Sequence, residues 1–178
     1  MARRVLERDA RFYVASSPSG TGVVVFHDWW GLDAAATAFC DALASLGFWT
    51  VCPDLYGGQI ARNCSAAGRL ALGLTSAAAH SLFGAALGIV DAEGGIGAHA
   101  VVGIGYGAAV ARYCARMTPQ IRCALVIEPE PLPKFCGGAQ DQLREVVLPS
   151  GRRTADLADA MWINIGHLLH EGMSGALS

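Results

Sequence analysis

The sequence predicts an α/β fold built on a mostly parallel sheet with helices on both faces. Three observations predict it. Short, continuous apolar runs such as Gly22-Val23-Val24-Val25-Phe26 lack polar alternation, as expected of strands covered on both sides. Helical patterns stand between successive runs, and this alternation builds parallel sheets through crossover helices. The 178 residues are 53% hydrophobic and 16% charged, enough apolar material for a sizeable core. Residues 1–178 are expected to form one domain, because no repeat, low-complexity stretch or linker divides them.

The elements follow in order. Phe12-Tyr13-Val14-Ala15 reads as an early strand and residues 16–21 as a turn. Residues 22–26 are a buried strand. Residues 33–46 are helical, with Asp33 as N-cap and Gly47 as the stop. Phe48-Trp49-Thr50-Val51-Cys52 is a second buried strand ended by Pro53. A loop through Tyr56-Gly57-Gly58-Gln59 precedes helical sequence over residues 65–91, which Gly94-Gly95-Ile96-Gly97 breaks. Residues 98–104 form a third buried strand, residues 106–117 a helix and residues 121–127 a fourth buried strand. Beyond Glu128 the pattern weakens, since Pro129, Pro131 and Pro133 interrupt any simple strand. Residues 154–169 can be read as one amphipathic helix with Leu157, Met161, Ile165 and Leu168 on a face. The rival is a short strand over 161–165 with His167 on the following loop; the helix is preferred.

Charge and composition exclude several classes. The formal net charge is −2, so no nucleic-acid or anionic-membrane footprint is present. The N-terminus lacks an apolar signal core. The longest low-charge stretch, about residues 70–90, is broken by glycines, Thr75, Ser76 and His80, and reads as a buried helix rather than a span. The six cysteines, at 40, 52, 64, 114, 123 and 136, form no C-x-x-C pair and no zinc spacing. They are expected to be reduced thiols in a cytoplasmic protein. No metal and no cofactor is expected. The expected partner is a small-molecule substrate or ligand, with a homodimer left open.

The run Val101-Val102-Gly103-Ile104-Gly105-Tyr106-Gly107-Ala108 turns from β-rich to Ala-rich sequence. In α/β-hydrolases this turn carries G-x-[Ser/Cys]-x-G with the nucleophile at its centre. Here the outer glycines are 103 and 107, and the central position is Gly105. His27-Asp28-Trp29-Trp30-Gly31-Leu32 follows the first central strand, and Cys52-Pro53-Asp54-Leu55-Tyr56 ends the next. In this combination, residues 10–128 resemble the dienelactone hydrolase family of α/β-hydrolases. Phe135-Cys136-Gly137-Gly138-Ala139-Gln140-Asp141 is similar to the family's strand end bearing the triad Asp, with an apparent one-residue insertion. Gly166-His167-Leu168-Leu169-His170 is similar to its Gly-His loop. The chain is shorter than a typical member between the elbow and the C-terminus, so an α/β-hydrolase-like fold shortened at that end is expected.

The resemblance implies roles. A thiol at the elbow would attack a lactone carbonyl, a His would move the proton and an Asp would hold the His tautomer. By position the catalytic candidates are Asp28, Asp141 and His167, with Gly105 at the degenerate nucleophile position. The backbone N–H groups of Trp29 and Tyr106 would bind the oxyanion, or else only close loop hydrogen bonds. Asp28 matches the acidic residue that helps activate the family's nucleophile; here it is a general base or a loop-capping carboxylate. Asp54 is expected to cap the loop after Pro53. Arg62 and Arg69 lie where the family places arginines that hold a substrate carboxylate, although exposed helix arginines are commoner. Trp30 and Tyr56 would line the pocket mouth with Trp29 and Tyr106, or pack in the core. Neither Cys114, about two helical turns past the elbow, nor Cys52, expected to be buried, replaces the missing nucleophile.

The expected function is therefore action on a small apolar or unsaturated carbonyl or lactone substrate without a covalent nucleophile, as a cyclase, lyase or water-attack lactonase. One alternative is a non-catalytic, ligand-binding pseudo-hydrolase. A further alternative is dinucleotide binding through Gly103, Gly105 and Ala108, with Glu128 as the ribose acid. Against it, this fingerprint normally opens a domain.

Overall fold

The computed structural model describes residues 1–7, 9–18, 20–93, 99–127 and 144–148, together with 167, 169 and 170. Among the described residues, seven strands form one sheet: β1 (Ala2–Glu7), β2 (Arg11–Ser16), β3 (Gly22–Phe26), β4 (Trp49–Pro53), β5 (His99–Ile104), β6 (Ile121–Ile127) and β7 (Arg144–Leu148). Their order across the sheet is β1-β2-β4-β3-β5-β6-β7. Strands β4, β3, β5, β6 and β7 are parallel, while β2 runs antiparallel to both β1 and β4. The sequence reading did not anticipate β1. Its residues are mostly exposed, so no apolar run marks it.

The fully buried strands divide their side chains by the two-residue period of a strand. Val23 and Val25 of β3 face one core, with Phe39, Cys40 and Leu43 of helix α1 (Ala34–Ser45). Val24 and Phe26 face the other, with Phe83 and Leu87 of α3 (Ser76–Glu93) and Val110 and Cys114 of α4 (Tyr106–Arg116). Helix α1 starts where expected, since the Asp33 side chain accepts from the Ala36 N–H at 2.9 Å. It stops at Leu46, followed by Gly47 with φ +98°.

The single helical stretch expected over residues 65–91 is two helices. Helix α2 (Cys64–Gly73) meets α3 at 83°. Leu74 is extended, and the Thr75 hydroxyl accepts from the Ala78 N–H at 3.1 Å, capping a new helix. The bend lets Leu74, Ala79 and Phe83 join one core. No single described helix is long and apolar enough to cross a membrane; the bent α2–α3 pair reaches that composition only in sum. The five described cysteines are free thiols, four of them buried and Cys64 exposed; Cys136 lies outside the described residues.

Strand β7 was also not anticipated. It pairs parallel with β6, from Cys123 opposite Arg144 to Ile127 opposite Leu148. The chain thus reaches the sheet edge beside Gly105 at Leu148, because the Gly105 N–H donates to the Ile127 carbonyl at 2.7 Å. Asp141 and Glu128 lie outside the described residues.

Candidate functional site

Three parallel strands end side by side, and the loops after them form the site. The turn between β5 and α4 is sharp. Gly105 has φ +52° and ψ −115°, a conformation that strains any residue with a Cβ. The two outer glycines permit the close approach around it. A Cβ at Gly103 would lie 2.3 Å from the Gly107 carbonyl oxygen, and one at Gly107 would lie 2.3 Å from the Phe26 carbonyl oxygen. These glycines let α4 press against β3 and β5, which accounts for the motif without a bound phosphate.

Gly105 differs from its two neighbours. A Cβ there would meet a side chain rather than backbone: Asp28 Oδ1 at 2.3 Å and Oδ2 at 3.2 Å. The Asp28 carboxylate therefore stands in the volume that an elbow side chain would take. Its Oδ1 accepts from the Trp29 N–H at 2.7 Å and the Tyr106 N–H at 3.1 Å. These are the two donors expected to hold an oxyanion. They do converge on one point, and Asp28 occupies it. The N-terminus of α4 adds its positive end to the same point. Sequence reasoning singled out Asp28 and missed this placement. The available signal was the glycine itself, since only a position without a side chain leaves room for a neighbour's carboxylate.

His27 fixes the loop from behind. Its ring is fully buried, and Nε2 accepts from the Leu55 N–H at 3.1 Å. An N–H can only donate, so Nδ1 carries the proton and donates to the Asp28 carbonyl at 2.6 Å. Burial pushes its pKa below the usual histidine value. His27 is thus a neutral strut between the ends of β3 and β4. Asp54 closes the next loop, accepting from the Tyr56 N–H at 3.0 Å and the Gly58 N–H at 2.7 Å.

The Tyr56 ring packs edge-on against His27 with centroids 5.1 Å apart, and lies 6.4 Å from Tyr106. The Tyr106 hydroxyl donates to the Ala71 carbonyl at 2.9 Å. The Tyr56 hydroxyl is buried and has no hydrogen-bond partner among the described residues; the side chain is 6% exposed. Burial, then the neighbouring Tyr106 and Asp28, push its pKa well above the usual tyrosine value. Trp29 and Trp30 are half-buried, with ring centroids 5.7 Å apart.

Other candidates fall elsewhere. Arg62 is exposed ahead of α2. Arg69 is exposed, and its guanidinium donates to Ser65 Oγ on its own helix at 2.9 Å. His167 is exposed and helical, as are residues 169 and 170 in backbone conformation. The preferred helix therefore holds over these residues, and the rival that puts His167 on a loop does not. Leu169 is buried in the α1-side core, and His170 stacks on Phe48 with centroids 4.6 Å apart. Phe48 precedes the start of β4, whereas Asp28 and Gly105 follow the ends of β3 and β5, so this contact sits at the opposite end of the parallel strands. No group of three metal-ligating side chains occurs among the described residues.

Comparison with known proteins places this arrangement. The profile of the Dienelactone hydrolase family matches residues 9–143. The protein usf of Aquifex pyrophilus is 41% identical over 64 residues, covering 34% of this chain and 28% of that protein. The chain thus spans little more than a quarter of that relative's length. The structure is similar to a dienelactone hydrolase-like promiscuous phosphotriesterase from metagenomic libraries, with TM-score 0.66 and 20% identity, covering 96% of this chain and 77% of that one. It is also similar to a cold-adapted esterase from an Arctic intertidal metagenomic library, with TM-score 0.65 and 17% identity, covering 96% and 93%. The folds agree, and the family profile spans the strand ends that build the site. The chain belongs to the dienelactone hydrolase family.

Proposed function

We propose that this chain acts on a small apolar or unsaturated substrate through the carboxylate of Asp28, with no acyl-enzyme at position 105. One observation carries the reading: Asp28 fills the elbow volume and binds both backbone donors. A carboxylate there is the reactive group that a missing thiol or hydroxyl would otherwise be. It can take a proton from a substrate or a water, as ring opening, cyclisation or elimination requires. The half-buried Trp29–Trp30 pair supplies apolar surface beside it. Asp141 is outside the described residues and His167 is exposed, so neither is given a role.

A second reading is a ligand-binding protein without turnover. Its support is that Oδ1 already has two donors, as a purely structural carboxylate would. Dinucleotide binding has less support, because a phosphate at the start of α4 would compete with Asp28 for the Tyr106 N–H.

A panel of saturated and unsaturated lactones, followed by chromatography, separates the two main readings. Turnover that resists serine- and thiol-directed inhibitors and is lost in Asp28→Asn supports the first. Saturable binding without turnover supports the second, and turnover unchanged in Asp28→Asn sinks the role of Asp28.

A further inference from the structure

We propose that strand β1 pairs antiparallel with β1 of a second copy of this chain, joining two sheets into one across a two-fold axis at Val5.

β1 is the end strand of the sheet, bonded to β2 and to no other described strand. Its outer edge presents backbone N–H and C=O groups, and such an edge is a template for another strand. Five of its six residues are exposed, so no described segment covers its faces.

Symmetry limits how two copies of this strand can meet. A two-fold axis perpendicular to the sheet keeps each face continuous, so every residue meets one on the same face. Residues two apart share a face, and the axis must therefore pass through a residue rather than between two. Centred on Arg3, Arg4 or Glu7, the pair sets like charges against each other, and centred on Ala2 it has almost no overlap. Centred on Leu6, it sets Val5 against Glu7 and pairs no opposite charges within the strand. Centred on Val5, it sets Arg3 against Glu7 of the second copy, twice, and Val5 against itself.

The neighbouring elements extend the match. Glu7 lies opposite Arg11 on β2, its carboxylate 3.9 Å from the Arg11 guanidinium. Arg3 holds Asp41 of α1 through Nε at 3.1 Å. In the joined sheet the charges alternate: Asp41 and Arg3 of one copy, then Glu7 and Arg11 of the other. A guanidinium carries five donors, so Arg3 can hold two carboxylates. The Arg3 and Glu7 side chains are 54% and 75% exposed, so bringing them together removes little of their hydration. Val5 is 45% exposed and lies opposite Tyr13 on β2. Pairing Val5 with itself thus completes an apolar row of Tyr13, Val5, Val5 and Tyr13 across four strands.

Charges on an edge strand ordinarily keep other strands away. Here they are self-complementary in one register alone. β1 offers six residues a side, against roughly 20–30 in a standard stable interface. The dimer is therefore a weak one that forms as concentration rises.

The test is sedimentation velocity on the full chain from about 1 μM to about 1 mM. A monomer–dimer equilibrium is expected, weakening as salt rises. Glu7→Arg and Arg3→Glu each set like charges opposite one another in the homodimer and should raise the dissociation constant roughly 10-fold or more. Mixed in equal amounts, the two variants restore opposite charges at both positions, and a dimer containing one of each should return. Val5→Lys places two ammonium groups on the axis and should weaken the dimer without touching the Asp41 contact. Val5→Cys in a Cys64→Ala background, treated with a short bis-maleimide, should cross-link the two copies at residue 5. A chain that stays monomeric throughout the series overturns the proposal. So does a dimer that Glu7→Arg and Val5→Lys leave unchanged, or a mixture of natively folded variants that fails to pair.

Discussion

Asp28 and Asp54 follow neighbouring strands, and each carboxylate accepts two backbone N–H groups. Their donors set them apart. Asp54 takes the N–H groups of Tyr56 and Gly58, two and four residues ahead, and so closes its own loop. Asp28 takes Trp29 beside it and Tyr106, 78 residues away. Asp54 is 4% exposed, whereas Asp28 is half-buried just past the end of β3. The same acceptor geometry is a local turn in one case and a bridge between two elements in the other. Only the bridge is the carboxylate proposed above to act on a substrate.

The sharpest way to break this comparison is to neutralise the bridge. Asp28→Asn keeps an acceptor oxygen for both donors but removes the charge. Lactone turnover should fall at least 100-fold, about 2.7 kcal/mol of transition-state stabilisation. The urea midpoint should move little. A collapse in stability with reactivity per folded molecule retained would make Asp28 another Asp54.

Asp54→Ala is the converse. It strands the buried Tyr56 N–H, so unfolding free energy should drop by about 2 kcal/mol in urea titration. Reactivity at Asp28, corrected for folded fraction, should persist. If reactivity vanishes while the fold survives, the two loops are coupled through Tyr56 and the contrast fails.

Gly105→Ser probes the space between the elbow and the bridge. The side chain must adopt the strained elbow backbone, costing about 1 kcal/mol in thermal or denaturant unfolding. Its Cβ must also displace Asp28, so lactone turnover that depends on Asp28 should decline. Esterase activity well above that of the parent protein would instead show that Asp28 merely waits in place of a nucleophile.

The smallest effect is in pH dependence. His27 is neutral in the fold, with a pKa below its unfolded value. Below about pH 6.5 the unfolded chain binds a proton that the native chain does not. Stability should be full above that pH and decline as pH falls toward the folded pKa, with a slope no steeper than about 1.4 kcal/mol per unit. His27→Gln should flatten this part of the profile in urea titrations across pH 5–8. An unchanged slope would assign the acid sensitivity to other groups.

Local chemistry made most of the frame legible. The apolar runs at 22–26 and 121–127 coincide with β3 and β6, because strands covered on both faces are almost wholly apolar, Arg122 near the start of β6 being the one charged residue in the two. The Asp33 cap and the elbow glycines were equally readable, since cap and close-approach chemistry is confined to a few residues. β1 was not readable because it is mostly exposed and is held by pairing with β2 rather than by burial. The break between α2 and α3 was missed because both helices are apolar and only Leu74 and Thr75 interrupt them.

The sequence by itself determined the family, the order of the strands along the chain, and the absence of a side chain at Gly105. Those features are fixed by residue identity and short-range periodicity. Only the tertiary structure decided what fills the elbow. Asp28 and Tyr106 meet because β3 and β5 lie adjacent and parallel, which brings two loops far apart in sequence to the same end of the strands. Periodicity predicts that such strands exist. Which carboxylate oxygen meets which N–H depends on their register, and that is set by packing across the whole sheet.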